Sequence, residues 1–341
     1  MWQVLYKNKK QSSLGPCLLK YRAIKMKGGK DMERYMIFGG SGTFGTAMTK
    51  KLLATTDAQI RIYSRNEKLQ FEHKQKFGNN SRIEYIIGDI RDYEAVWNAL
   101  EDVDYVFLAS AMKHIDKCEA NPLECKKINI DGCINVINAS IERGVKKLVF
   151  LSTDKATNAT TIYGASKMFI ELYCEAVDNK DTIITRTRYG NILGSNGSVA
   201  FIFDKLAKEG KTLTVTNPDM TRFFMKIEDA IDLVLYALEH GENGDLFVYN
   251  NKSCTIKELA DMFSDKQEII GSRGIEKTDE ALLTVNELNH SILHEGKYFQ
   301  VADRFTDNGK YSIPLTSDTC ERLTKEELQD MIDTWRKNYG L

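Results

Sequence analysis

Tyr163 and Lys167 stand four residues apart in Tyr163-Gly164-Ala165-Ser166-Lys167, so on a helix they share one face. A phenol titrating near its reference value of about 10 is a poor base at neutral pH, and a neighbouring ammonium favours its phenolate. Such a pair suits taking a proton from a hydroxyl whose carbon is losing a hydride. Upstream, the run Ser152-Thr153-Asp154-Lys155 follows the apolar stretch Leu148–Leu151. An adjacent carboxyl and amine offer the acid and the base that an elimination needs and a simple oxidation does not. The lysine serves as a base only when neutral, which calls for burial or a nearby positive charge. Elsewhere Asp-Lys would read as a solvated pair; at the carboxyl end of a strand it faces the crevice where ligands of open α/β sheets bind.

That crevice needs a second partner, and Gly39-Gly40-Ser41-Gly42-Thr43-Phe44-Gly45 describes it. The loop has an apolar strand before it and a helical pattern after it, the context in which a glycine fingerprint binds a dinucleotide. Gly39, Gly42 and Gly45 give a tight turn, room for a pyrophosphate and close helix packing, and the helix N-terminus offers free N–H groups. The second strand ends in Tyr63-Ser64-Arg65 without the carboxylate that grips a ribose 2′-hydroxyl. A hydroxyl and a guanidinium suit a 2′-phosphate. NADP is the expected cofactor, and NAD the less favoured one. Asp89, in Gly88-Asp89-Ile90, is placed either to meet an adenine or to cap the following helix.

The elements that position these groups are legible from residue 35 onward. Apolar runs at Tyr35–Phe38, Ile60–Tyr63, Ile83–Ile87, Tyr105–Leu108, Leu148–Leu151 and Thr182–Thr185 alternate with helical stretches such as Thr46–Leu53, Tyr93–Leu100 and Ile128–Arg143. The alternation predicts an α/β fold, a doubly wound parallel sheet of Rossmann type, with a smaller C-terminal substrate-binding lobe. The expected division is a basic extension over 1–34, a cofactor-binding domain over 35–190, and a lobe over 191–341 whose segment 226–250 returns to the sheet. Later helices are predicted at Glu228–Glu239, Ile256–Phe263 and Lys325–Tyr339.

Composition bounds the function. The 341 residues carry a formal net charge of −1, with 42% hydrophobic and 28% charged residues, so no global basic field points to nucleic acid or a membrane surface. No apolar run approaches the ~20 residues of a membrane span, and no secretory signal is visible, which predicts a cytoplasmic protein. Residues 1–34 hold nine Lys/Arg and two acidic residues, a local charge of +7. Seven cysteines lack a CxxC pair, and the five histidines lack ligand spacing, so no metal is expected. Cys118, Cys125 and Cys133 are expected to pack on helices, and Asn129 to be structural.

The stretches GGSGTFG at 39–45, IYSR at 62–65, GDIRD at 88–92, ASAMKH at 109–114, STDKA at 152–156, YGASK at 163–167, RYGNILGSNGSV at 188–199 and MTRFF at 220–224 make the chain resemble extended short-chain dehydrogenases/reductases. Among these it is most similar to the C5-inverting UDP-N-acetylglucosamine 4,6-dehydratases. The likeness covers about residues 35–225 and is looser beyond. Phe38 departs from a usual threonine and Ala159 from a common proline, and neither removes a reactive group.

The resemblance implies that Tyr163 takes the 4-hydroxyl proton as C4 gives up its hydride, that Thr153 holds the C4 oxygen, and that Lys167 holds the cofactor ribose and tunes Tyr163. Lys155 would then remove the C5 proton, and Asp154 would protonate the departing C6 hydroxyl. It also implies cofactor contacts from Ile90, Ala109, Ser110, Ala111 and Lys113, and sugar or cofactor contacts from Lys113 and Asn191. Tyr189 would line the nicotinamide pocket. Ser198 and Val199 open a helix facing the UDP-sugar diphosphate, and Arg222 is expected to clamp that diphosphate. A homo-oligomer, dimer or hexamer, follows from the likeness alone. The alternatives are a C5-retaining 4,6-dehydratase, a nucleotide-sugar 4-epimerase, or a non-catalytic NADP-binding sensor. Lys155 argues against the first, where glutamate is usual; the Asp154-Lys155 pair argues against the second; and the retained Tyr163 and Lys167 argue against the third.

Overall fold

The computed structural model describes residues 32–195, 197–271 and 276–339. The basic stretch 1–34 therefore lies outside the described residues except for its last three. Six parallel strands, β1 (Arg34–Phe38), β2 (Gln59–Ser64), β3 (Ile83–Ile87), β4 (Tyr105–Leu108), β5 (Lys147–Leu151) and β6 (Ile183–Arg188), lie in the order β3-β2-β1-β4-β5-β6. This is a doubly wound Rossmann sheet, and its order reverses between β1 and β4. The strands read as near-continuous apolar runs because both faces are covered. On one face Met36, Phe38, Val106, Leu108 and Phe150 pack with Val136, Ile137 and Ile170 of the covering helices. On the other, Ile37, Phe107 and Val149 meet Met48 and Leu52 of the helix Thr43–Thr55 and Val234 of the helix Ile227–His240.

Leu246–Tyr249 continues the sheet parallel to β6, and Tyr298–Val301 and Ser291–His294 extend it antiparallel to nine strands. The sheet thus takes segments from beyond 226–250. β6 runs three residues past its predicted end at Thr185 because Arg186 and Arg188, polar in sequence, find partners, Arg186 in the Glu171 carbonyl and Glu175 and Arg188 in the buried Glu171 carboxylate. The predicted helix Ile128–Arg143 opens as a π-helical turn over Lys127–Gly132 before Cys133–Glu142. The C-terminal lobe has its own core, with Leu193, Phe203, Phe224, Leu259, Ile332 and Trp335 buried together.

Candidate active site

The glycine loop closes on itself at the switch point. Gly39 has φ +82°, a conformation that favours glycine, and a Cβ there would lie 3.0 Å from the Ser110 backbone nitrogen beyond β4. A Cβ at Gly45 would sit 2.2 Å from the Gly40 carbonyl oxygen. The helix that follows begins at Thr43 with no side-chain cap and no acidic residue in its first turn, so its N–H groups and positive dipole end remain available to an anion. Ser41 Oγ donates to Ser64 Oγ at 2.9 Å, joining two predicted cofactor contacts. Phe44 and Ile90 are buried core residues, which leaves their backbones for any ligand contact.

Asp92, not Asp89, caps the helix Tyr93–Ala99, its carboxylate accepting from Ala95 N at 3.0 Å. Asp89 instead accepts from Arg91 Nε at 3.0 Å, and Arg65 stands 3.5 Å away. Burial works against the Asp89 charge, yet hydrogen bonds from Arg91 and the nearby Arg65 hold its carboxyl below the usual value. With Arg91 answering Asp89, the half-exposed Arg65 guanidinium keeps donors for a second anion.

At the end of β5 the chain turns through a short 3₁₀ segment, Asp154–Ala156, against the helix Ile162–Ala176. The approach is close: a Cβ on Gly164 would lie 2.3 Å from the Lys155 carbonyl oxygen. Thr161 caps that helix, accepting from Gly164 N at 3.1 Å. Asp154 is fully buried. Its Oδ1 accepts from Thr153 Oγ1 at 2.8 Å and from Lys155 Nζ at 2.9 Å, while Oδ2 has no hydrogen-bond partner among the described residues. Lys155 Nζ also donates to Asn191 Oδ1 at 3.4 Å. Tyr163 sits beside Thr153, whose hydroxyl favours the phenolate, but burial and the Asp154 charge push the phenol well above its ordinary value. Lys167 Nζ donates to the Leu151 carbonyl at 2.7 Å over the Phe150 ring, and burial lowers its pKa.

The lowering that a base role for Lys155 calls for is not found. Burial pushes the amine down, but Asp154 and then Glu280 more than offset it, so Lys155 is held charged. Glu280, 3.9 Å from Lys155 Nζ, belongs to no sequence-predicted site. It sits in Glu276-Lys277-Thr278-Asp279-Glu280, a run that reads as a solvated charged loop and carries no signal of burial.

Asn129 acts structurally. It accepts from Met112 N at 2.7 Å and donates to Met112 O at 2.9 Å and to Ser166 Oγ at 3.0 Å, tying the loop after β4 to the helix that carries Tyr163 and Lys167. Cys118, Cys125 and Cys133 are buried free thiols on helices. Lys113 lies in that same loop, its ammonium held below the ordinary value by surrounding protein. A Cβ on Gly197 would lie 2.5 Å from His114 Cε1, so the Lys113-His114 loop meets the loop leading into Ser198 and Val199. Ser198 Oγ is buried without a hydrogen-bond partner among the described residues. Tyr189 is buried enough to raise its phenol well above the ordinary value. Arg222 spends its donors on the carbonyls of Thr221, Lys277 and Thr278 at 2.7, 2.8 and 2.9 Å, which pins the loop carrying Glu280.

The cradle follows the carboxyl end of β1, and the Asp154-Lys155 pair and the helix carrying Tyr163 and Lys167 follow that of β5, on the same edge of the parallel sheet, and the polysaccharide biosynthesis protein family model matches residues 35–302. The chain belongs to the polysaccharide biosynthesis protein family. Membership sets it in the extended short-chain dehydrogenase/reductase superfamily, among enzymes of the nucleotide-sugar epimerase and dehydratase family. A curated relative, the UDP-glucose 4-epimerase of Rickettsia massiliae (strain Mtu5), is 38% identical over 324 residues, 88% of this chain and 95% of the relative. The X-ray structure of Pen from Bacillus thuringiensis is 33% identical and superposes with a TM-score of 0.83, covering 89% of this chain and 97% of its own. The dTDP-glucose 4,6-dehydratase DesIV from Streptomyces venezuelae, solved with NAD and TYD bound, shares the fold at 18% identity and a TM-score of 0.69, over 90% of this chain and 98% of its own.

Proposed function

We propose that this family member is a C5-inverting 4,6-dehydratase of UDP-N-acetylglucosamine that recycles an internal NADP. The observation that carries the reading is the Asp154-Lys155 pair at the end of β5, Asp154 buried and Lys155 part-buried, with a 2.9 Å hydrogen bond between the side chains and an Asp154 Oδ2 that has no hydrogen-bond partner among the described residues. A 4-epimerase needs to move only the C4 hydroxyl proton and hydride, and it has no use for a buried acid and base beside that centre. A dehydratase must also break a C5–H and a C6–O bond.

The glycine loop fits a dinucleotide, since a Cβ at Gly39 or Gly45 would fill the turn. The helix N-terminus would hold its pyrophosphate, Ser64 and Arg65 a 2′-phosphate, and Tyr163 and Lys167 its nicotinamide ribose. A bound nicotinamide supplies the acceptance and return of hydride. Tyr163 takes the 4-hydroxyl proton while Thr153 holds the C4 oxygen. The ketone so formed acidifies the C5 proton, which Lys155 removes once its own proton has passed to Asp154 across their hydrogen bond, and Asp154 delivers that proton to the leaving C6 hydroxyl. Lys113, Asn191, Ser198 and Val199 would surround the sugar and diphosphate, while Arg222, its donors committed to backbone carbonyls, would hold the loop beside them.

The names of the Rickettsia relatives favour a second reading, a UDP-sugar 4-epimerase. Mass spectrometry of UDP-N-acetylglucosamine incubated with the purified protein in heavy water separates the two. The dehydratase gives a product lighter by one water that has taken up a solvent deuteron, and NMR then reads an inverted C5. An isomer of unchanged mass without deuterium overturns it in favour of epimerisation.

A further inference from the structure

The Glu276–Glu280 run closes over the catalytic turn from the C-terminal lobe. Thr221 N donates to the Thr278 carbonyl at 3.1 Å, Arg222 grips the carbonyls of Lys277 and Thr278, and Lys277 Nζ donates to the Thr157 carbonyl at 3.0 Å. The Glu280 backbone is held on both sides by Ser317, through Glu280 N to Ser317 Oγ at 2.9 Å and Ser317 N to Glu280 O at 2.8 Å. None of these bonds uses the Glu280 side chain. Yet that carboxylate is only 5% exposed, lies 3.9 Å from Lys155 Nζ and 3.8 Å from Lys277 Nζ, and leaves Oε2 without a hydrogen-bond partner among the described residues. Burying an incompletely satisfied carboxylate is costly, and this one is buried facing the Lys155 amine.

We propose that Glu280 is a positioning residue for the elimination: it holds the Lys155 amine against Asp154 and governs which of the two carries their shared proton. The inference rests on the dehydratase reading. The ammonium of Lys155 and the carboxylate of Asp154 are the resting form. Moving one proton across their 2.9 Å hydrogen bond breaks an N–H bond and forms an O–H bond at constant net charge. That gives the neutral amine and the carboxylic acid that C5 deprotonation and C6–O cleavage require. An ionised Glu280 weighs against this transfer, and it then stabilises the ammonium formed when Lys155 takes the C5 proton. The charges facing the amine are Asp154, Glu280 and Arg222; Lys277 faces Glu280 from the other side, and the Tyr163 phenol faces Asp154. Glu280 itself is pushed up, first by burial and then by Asp154, against the pull of Lys155, Arg222 and Lys277.

The test titrates Lys155 directly, by carbon NMR of full-length protein labelled at the lysine ε-carbons, with the resonance assigned through Lys155→Arg. Glu280→Gln removes a negative charge beside an ammonium, so the Lys155 midpoint should fall by about one pH unit. The fall of water loss at high pH, where the pair loses the proton it shares, should move to lower pH by the same amount. Initial reduction of bound cofactor by the sugar nucleotide should keep its wild-type rate. Glu280→Asp, which retracts the charge without removing it, should give an intermediate midpoint and serves if the glutamine variant does not fold. A Lys155 midpoint and pH profile unchanged in the variant that folds would overturn the proposal. If the wild-type protein itself releases no water from the nucleotide sugar, the dehydratase reading fails instead, whatever the lysine titration shows.

Discussion

Replacing Tyr163 by phenylalanine keeps the half-buried ring and removes only the hydroxyl beside Thr153, so the loss falls on the first step. The expected result is a drop of about a hundred- to ten-thousand-fold in turnover, with neither reduced nicotinamide nor dehydrated sugar in single-turnover absorbance and mass measurements. Lys155→Ala should fail later. With Tyr163, Thr153 and Lys167 intact it should still reduce bound cofactor in a burst and then release almost no dehydrated product. Full product formation by Lys155→Ala would remove this residue from the mechanism. The two variants dissect an arrangement whose reactive groups are proposed from spacing alone, because Tyr163/Lys167 and Asp154-Lys155 are local patterns. Glu280 was not readable: it reaches Lys155 across more than a hundred residues of chain, and its own neighbours are charged and ordinary.

The helix that carries Tyr163 and Lys167 is anchored by a buried ion cluster, and its stability should follow that cluster. Arg188 on β6 donates through Nε to Glu171 Oε1 at 3.1 Å, through Nη1 to Glu287 Oε1 at 2.9 Å and to the Leu282 carbonyl at 2.7 Å. One guanidinium thereby joins the catalytic helix, the sheet and the lobe segment that leads away from Glu280. Arg188→Met would strand Glu171, which is almost fully buried, and should cost about 3–5 kcal/mol in urea unfolding. The pH dependence has a definite sign. Burial opposes the Glu171 charge, but Arg188 dominates and holds its carboxyl below the ordinary value. The stability it contributes is present above the unfolded carboxylate range and is lost as pH falls through the lower folded value. In Arg188→Met the depressing charge is gone, so unfolding free energy should no longer fall across that acid window; an unchanged acid limb would show that Glu171 is not governed by Arg188. The same cluster explains why β6 is longer than its sequence pattern. Thr185-Arg186-Thr187-Arg188 looks like the start of a loop until its distant partners are known, whereas β1 to β5 are apolar runs that declare themselves.

Seen as a whole molecule, the chain leaves an apolar face where the outer side of the catalytic helix meets its neighbour. Met168, Phe169 and Leu172 are 39%, 46% and 57% exposed, and Leu123 on the adjoining helix Pro122–Lys126 is 75% exposed. Ile130, Ile162 and Ala165 line the shallow depression between them. Clustered apolar side chains of this kind mark an interaction surface rather than scattered exposure. The prediction is that a second copy covers it. A patch built along one helix can meet itself across a twofold axis, and the rim carries both signs, with Lys126 paired to Asp131 at 2.8 Å and Lys127 near Glu124 at 3.9 Å, so two copies would not repel. Light scattering behind size exclusion should therefore find at least a dimer for the wild-type chain, and a monomer for the double variant Phe169→Glu with Leu172→Arg. Because both side chains are exposed, the variant should keep its circular dichroism spectrum. Its turnover should nevertheless fall, since the helix that would lose its cover also holds Tyr163 and Lys167. A wild-type monomer, or a double variant that still elutes as a dimer, would refute the face as a subunit contact. A monomeric variant with wild-type turnover would keep the contact but show that assembly does not support the site.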